Sequence, residues 1–252
     1  MSHLLVDIGN TRIKMAIATG DECHHLLPIF HQQQTSEQIL SAMPQERFEG
    51  VWIANVAPLK LCTTISRWAN HKDLSCYSAN SQTQFRRLKN GYLNPRQLGV
   101  DRWLGMIACE AENLGPSVLI SAGTALTIDI IDPNYQHLGG YILPGLGLNR
   151  IIPALNNQDI APSFDGEGFP QNTQQAVNAA CQEALLPGLA SFFGKISKKI
   201  DFSFKWVITG GDAAKLPPVL PNSDYVKLDN AVLLGLNTIR KSDIEQRGCS
   251  SF

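Results

Sequence analysis

The stretch Leu4-Leu5-Val6-Asp7-Ile8-Gly9-Asn10-Thr11-Arg12-Ile13-Lys14-Met15-Ala16-Ile17 decides the fold. Leu4–Val6 is an apolar run that ends in a turn sequence, Asp7-Ile8-Gly9-Asn10-Thr11. Beyond it, Ile13, Met15 and Ile17 alternate with Lys14, Ala16 and Ala18, the two-residue period of a half-buried strand. Strand, tight turn and returning strand make a β-hairpin. The pattern recurs further along the chain. Val118-Leu119-Ile120 is an apolar strand, Ser121-Ala122-Gly123-Thr124 a glycine turn, and Leu126–Ile131 a returning strand. Leu4–Gly9 aligns with Val118–Gly123 in its apolar positions and in the glycine, and the offset is close to half of the 252 residues. A repeat of that period points to two copies of one domain and not to a solenoid. Two unrelated hairpins are the alternative.

Outward from the hairpins, strands and helices alternate. Val51–Ala54 reads as a strand, Ser36–Met43 as a short helix, and Leu59–Ala69 as a helix with Leu61, Ile65 and Trp68 at helical spacing. Asn80–Leu98 is polar and reads as a solvated loop with one short helix. Gly99–Leu114 reads as a helix with Trp103, Met106, Ile107 and Ala111 on one face. Gly139–Gly145 is a strand closed by Pro-Gly, with a helix expected through Leu155 and a loop over Asn156–Asn172. Thr173 offers a cap to a helix that Pro187-Gly188 would kink. Trp206–Ile208 is a strand opening into Thr209-Gly210-Gly211-Asp212, and Ala231–Arg240 is a last helix before a polar tail. This alternation is α/β architecture with helices on mixed sheets.

Composition narrows the function. Apolar residues are 44% and charged residues 17%, enough for a core and too little charge for a disordered chain. The net charge of -1 lacks the basic excess of a nucleic-acid binder. No apolar run approaches the ~20 residues of a membrane span. No basic segment precedes the first apolar run, which Asp7 interrupts, so a cytoplasmic protein without a secretion signal is expected. Cys23, Cys62, Cys76, Cys109, Cys181 and Cys249 include no Cys-x-x-Cys pair and read as reduced thiols.

The turn residues carry the chemistry. Gly9 permits close approach of backbone N–H groups to a phosphate, and Asn10 and Thr11 add side-chain donors. Asp7 can hold a hydrated Mg²⁺, and Lys14 sets a positive charge against phosphate oxygens. A plain hairpin turn is the alternative. Ser121–Thr124 and Thr209–Asp212 are further glycine corners at strand ends. The three together suit a nucleotide, two hairpins on its phosphates and the third near its adenosine.

With Gly99-Val100-Asp101-Arg102-Trp103, Ser121–Thr127 and Gly139–Gly145 added, the set resembles type III pantothenate kinase, of the acetate and sugar kinase/Hsp70/actin superfamily. The motifs run in the family's order over about residues 4–213, and Asp-x-Gly-Asn-Thr followed by Gly-x-Asp-Arg-Trp is specific to it. The resemblance implies two actin-like (ribonuclease H-like) domains, residues 1–114 and 115–252. It implies transfer of the γ-phosphate of ATP, with Mg²⁺, to the primary hydroxyl of pantothenate, giving 4′-phosphopantothenate in the first step of coenzyme A biosynthesis. Asp101 matches the proton acceptor, with a helix N-terminal charge as its other reading. Asp7, Ile8, Gly9, Asn10, Thr11, Arg12, Ile13 and Lys14, with Gly123, Thr124, Gly210 and Gly211, match the nucleotide site. Tyr92, Gly99, Val100, Asp101 and Arg102 match the pantothenate site. Thr173 matches a residue that reaches the substrate from the neighbouring subunit of a homodimer. A non-catalytic relative acting as a transcriptional accessory or binding protein is a second reading; a small sugar kinase or an exopolyphosphatase-like hydrolase is a third. One position departs from the pattern. Ser121 stands where relatives carry an aspartate that binds K⁺ or ammonium, and a hydroxyl is a poorer partner for a cation. A monovalent cation, K⁺ or ammonium, is what the resemblance implies, but with Ser121 a weakened or lost requirement for it is expected, unless Asp129 compensates.

Overall fold

The computed structural model describes residues 2–146, 169–222 and 224–249. The chain forms two compact units. The first comprises Met1–Leu114, Asn134–Gly139 and Asn230–Phe252, the second Gly115–Pro133 and Gly140–Asp229.

The first unit opens with the expected hairpin, β1 (Ser2–Ile8) and β2 (Arg12–Thr19), antiparallel with Ile8 opposite Ile13 and Asp7 opposite Lys14. β3 (Glu22–His25) and β4 (Ile29–Phe30) pair with β2. Then come α1 (Ser36–Ser41), β5 (Gly50–Asn55), α2 (Leu59–His71) and β6 (Ser75–Ser78). The sheet order is β3-β2-β1-β5-β6, with β1, β5 and β6 parallel. One face of β1 gives Leu4, Val6 and Ile8 to a core shared with Ile13, Met15, Val51 and Ile53 and with Ile39, Ile65 and Trp68 of α1 and α2. Burying side chains of this size stabilises by about 1.5–3 kcal/mol each. Leu61, Ile65 and Trp68 form the predicted stripe of α2, and a capping box closed by Thr35 and Gln38 starts α1. By strand alternation Leu5, Asp7 and Lys14 lie on the opposite face.

The segment read as a loop, Asn80–Leu98, holds a small hairpin, β7 (Gln84–Phe85) and β8 (Leu88–Lys89), and a 3₁₀ turn at Pro95–Gln97. It leads into α3 (Val100–Ala111), whose residues Arg102–Glu110 are all buried. α3 packs against β5 and against the C-terminal helix α6 (Ala231–Cys249), which also lies on β1 and β2. α6 is longer than expected: the polar tail after Arg240 is helical. Lys241 pairs with Asp21 at 2.7 Å and Arg86 donates to Ser242 at 2.9 Å, which anchors that turn. The last helix therefore packs within the first unit, although a single division after Leu114 would place it in the second.

The second unit repeats the first. β9 (Ser117–Ala122) pairs antiparallel with β10 (Ala125–Ile131) and parallel with β12 (Lys205–Thr209), and β12 pairs parallel with β13 (Tyr225–Lys227). With β11 (His137–Pro144) the order is β11-β10-β9-β12-β13, the same as in the first sheet. Val118, Ile120, Leu126, Ile128, Trp206 and Ile208 pack with Leu189, Phe193 and Ile196. The last three belong to α5 (Leu186–Lys199), which follows α4 (Thr173–Ala180). The cap of α4 is Asn172 and not Thr173: Asn172 Oδ1 accepts the Gln175 N–H at 2.9 Å, and Thr173 is the first helical residue. Pro187 falls in the first turn of α5, and a π turn at Cys181–Leu185 precedes it. The widened turn accommodates the missing proline N–H and its ring. The helix expected through Leu155 and most of the loop Asn156–Asn172 lie outside the described residues.

Candidate active site

In the first unit the turn between β1 and β2 is residues 9–11. The Gly9 N–H donates to the Arg12 carbonyl at 3.1 Å. That N–H closes the turn, so the glycine serves the turn's shape and a phosphate would be met by its neighbours. Asn10 is exposed and Thr11 half-buried. The side chains of Ile8 and Ile13 are fully buried in the core, so only the backbone of these two can meet a ligand. Asp7 is buried opposite Lys14. Burial lifts its carboxyl to about 6; Lys14 and Arg12 oppose the rise and Asp101 adds to it. The Arg12 guanidinium lies 5.7 Å from the Phe30 ring centre.

Asp101, whose like charge adds to the rise at Asp7, stands in the first turn of α3. Gly99 is the N-cap of α3 and supplies no side-chain cap. Asp101 Oδ1 accepts the Arg102 N–H at 2.9 Å. A carboxylate there is favoured by the helix dipole. A Cβ on residue 99 would lie 2.7 Å from that oxygen, so a side chain there would displace the Asp101 carboxylate. Arg102 is buried and its Nη1 donates to the Tyr92 hydroxyl at 2.7 Å. Tyr92 is fixed in turn by its N–H on Asn90 Oδ1 at 3.0 Å. Asp7, Tyr92, Gly99, Asp101 and Arg102 thus belong to one unit.

In the second unit three corners converge on one end of the sheet. The Gly123 N–H donates to the Ala125 carbonyl at 3.0 Å, repeating the bond made by Gly9 in a turn one residue shorter. Gly210 has φ +99°, and a Cβ there would lie 2.2 Å from the Ala122 carbonyl oxygen, so only glycine permits this approach. The Asp212 N–H bonds the same carbonyl at 3.0 Å. Gly145 donates to the Thr124 carbonyl at 3.2 Å. Gly123, Thr124, Gly210 and Gly211 are therefore neighbours at one strand end. Ser121 is half-buried opposite Thr127, where the first unit pairs Asp7 with Lys14. Asp129 faces Leu119 across the same strands, two residues along and on the same face as Ser121, and is buried.

Two histidines escaped the sequence reading. The His137 ring stacks on Tyr92, with centroids 5.9 Å apart and an interplanar angle of 14°. His31 Nε2 lies 2.8 Å from the Gly9 carbonyl oxygen. Neither belongs to a motif, and each meets its partner only through tertiary pairing. Among the described residues no helix is long and apolar enough to cross a membrane.

Two sheets of the same strand order, each with a glycine turn after its central strand, make an actin-like fold. A Campylobacter jejuni structure described as a conserved Baf family transcriptional activator has a TM-score of 0.55 and 24% identity, covering 96% of this chain and 99% of that one. An ethanolamine utilization protein from Carboxydothermus hydrogenoformans has a TM-score of 0.53 at 10% identity. Both likenesses concern the fold. The family model for type III pantothenate kinase matches residues 3–190. The type III pantothenate kinase of Laribacter hongkongensis is 32% identical over 240 residues, 92% of this chain and 96% of that protein. That of Nitrosococcus oceani is 29% identical, covering 97% and 96%. The chain belongs to the type III pantothenate kinase family.

Proposed function

We propose that this kinase transfers the γ-phosphate of ATP to the primary hydroxyl of pantothenate, with Asp101 as the proton acceptor. As the new O–P bond forms and the bond to the β-phosphate oxygen breaks, the hydroxyl proton passes to the Asp101 carboxylate and ADP leaves. Arg102 and Tyr92, locked together, orient pantothenate beside Gly99 and Val100. Lys14 and Arg12 bring positive charge to the phosphates, and Asn10 and Thr11 bring donors. Gly123, Thr124, Gly210 and Gly211 are assigned to the nucleotide, and Thr173 to the substrate of a neighbouring subunit in a homodimer. Pantothenate, ATP and a second copy are the partners of this reading, in the cytoplasm; neither nucleic acid nor membrane enters it.

Mg²⁺ fits the residues present. It prefers water and phosphate oxygens with one or two carboxylates over an all-protein cage, and Asp7 is such a carboxylate. No cluster of three metal-ligating side chains exists among the described residues. When bound with ATP, Mg²⁺ neutralises phosphate charge. Ser121 supports a site that needs no K⁺ or ammonium.

The observation that carries the proposal is the start of α3, where Asp101 stands in the first turn and its neighbour Arg102 donates to the Tyr92 hydroxyl at 2.7 Å. Asp101→Asn tests it. Pantothenate-dependent ADP formation should fall by about 10²–10⁴-fold while ATP binding persists. An undiminished rate in the variant would remove Asp101 from the chemistry.

A further inference from the structure

We infer that His31 is a positioning residue that aims the phosphate-binding turn. It follows β4 directly, and it holds the turn at both ends. Its ring Nε2 lies 2.8 Å from the Gly9 carbonyl oxygen, and its backbone N–H donates to the Thr11 carbonyl at 3.4 Å. A carbonyl only accepts, so the ring donates from Nε2. Pairing of Phe30 with Arg12 and of Ile29 with Ile13 fixes where His31 stands.

The consequence lies in the geometry of one peptide group. The Gly9 carbonyl and the Asn10 N–H belong to the same planar trans unit and point in opposite directions. A ring that grips the carbonyl from one side turns the Asn10 N–H to the other. The Gly9 N–H, in the preceding peptide, is engaged with the Arg12 carbonyl, so that side of the glycine is fixed and the His31 bond is what opposes rotation of the Gly9–Asn10 peptide. Glycine is the residue that would otherwise rotate most freely. His31 thereby holds a backbone donor oriented for an anion before the anion arrives, which reduces the ordering cost of binding.

This rests on the assignment of residues 9–14 to the phosphates of ATP. The test measures MgADP binding by calorimetry and the KM values for ATP and pantothenate, in wild type and in His31→Ala, His31→Phe and His31→Gln. A glutamine amide can donate to the same carbonyl; phenylalanine fills the space and cannot donate. His31→Ala and His31→Phe should weaken MgADP binding and raise the KM for ATP about tenfold, the worth of one well-placed hydrogen bond. The KM for pantothenate should be unchanged and kcat nearly so, and His31→Gln should recover most of the loss. Unaltered nucleotide binding in His31→Ala would overturn the inference, as would equal damage to both substrates or a glutamine no better than phenylalanine. Lys14→Ala separates the two assignments. If it leaves nucleotide binding intact, the phosphate assignment of the turn itself fails.

Discussion

Asp7 concentrates the conflict between stability and function at the scale of one residue. Its carboxyl is raised from 3.8 to about 6, chiefly by burial. The folded protein holds that proton more tightly than the unfolded chain. The contribution of Asp7 to stability is therefore full below about pH 4 and lost as the pH rises through about 6. A shift of this size corresponds to about 3 kcal/mol. Asp7→Asn should raise the melting temperature at pH 8, change it little at pH 4, and abolish turnover; thermal scans at the two pH values check it. In wild type, kcat/KM should decline below about pH 6 as Asp7 takes up its proton. Ser121 gives a second prediction at this scale. Wild type should run at the same rate in Na⁺ as in K⁺, and Ser121→Asp should introduce K⁺ stimulation; a full K⁺ requirement in wild type would contradict it. Asp7, Lys14, Gly99 and Asp101 were legible because each sits inside a local motif. His31 and His137 were not, because their partners are 22 and 45 positions away and no motif marks a long-range hydrogen bond or ring stack.

At the scale of elements, α3 carries Asp101 and Arg102, and α6 holds α3 in place. Gly235 is the point of contact: a Cβ there would lie 2.0 Å from the Leu104 carbonyl oxygen. Gly235→Ala should force the helices apart and destabilise the protein by about 1–3 kcal/mol, measurable by urea unfolding. The long apolar strands and the amphipathic helices announce themselves by period, as β1, β2, α2 and α3 did. β4, β7 and β8, of two residues each, and β13, of three, are too short to show one. They exist because a neighbouring strand offers an edge. The extension of α6 was hidden for a related reason. Its last turns are polar and are held by Asp21 and Arg86, contacts that only the folded chain supplies.

At the scale of the whole molecule, the repeat first visible as two similar hairpins is a repeat of two entire sheets. Its chemistry has diverged between copies. The first unit keeps an acid and a base across its hairpin, Asp7 with Lys14, whereas the second has two hydroxyls, Ser121 with Thr127. The proposed homodimer predicts a particle of twice 27.6 kDa in light scattering; a monomer with full activity would remove Thr173 of a neighbour from the site. Turnover by the purified protein is the most direct test of the kinase. Supplied with Mg-ATP and pantothenate, it should form 4′-phosphopantothenate and ADP in equal amounts, and no ADP when pantothenate is withheld. Folded protein that forms no phosphopantothenate in Na⁺, K⁺ or ammonium, or that releases phosphate from ATP regardless of pantothenate, would contradict it.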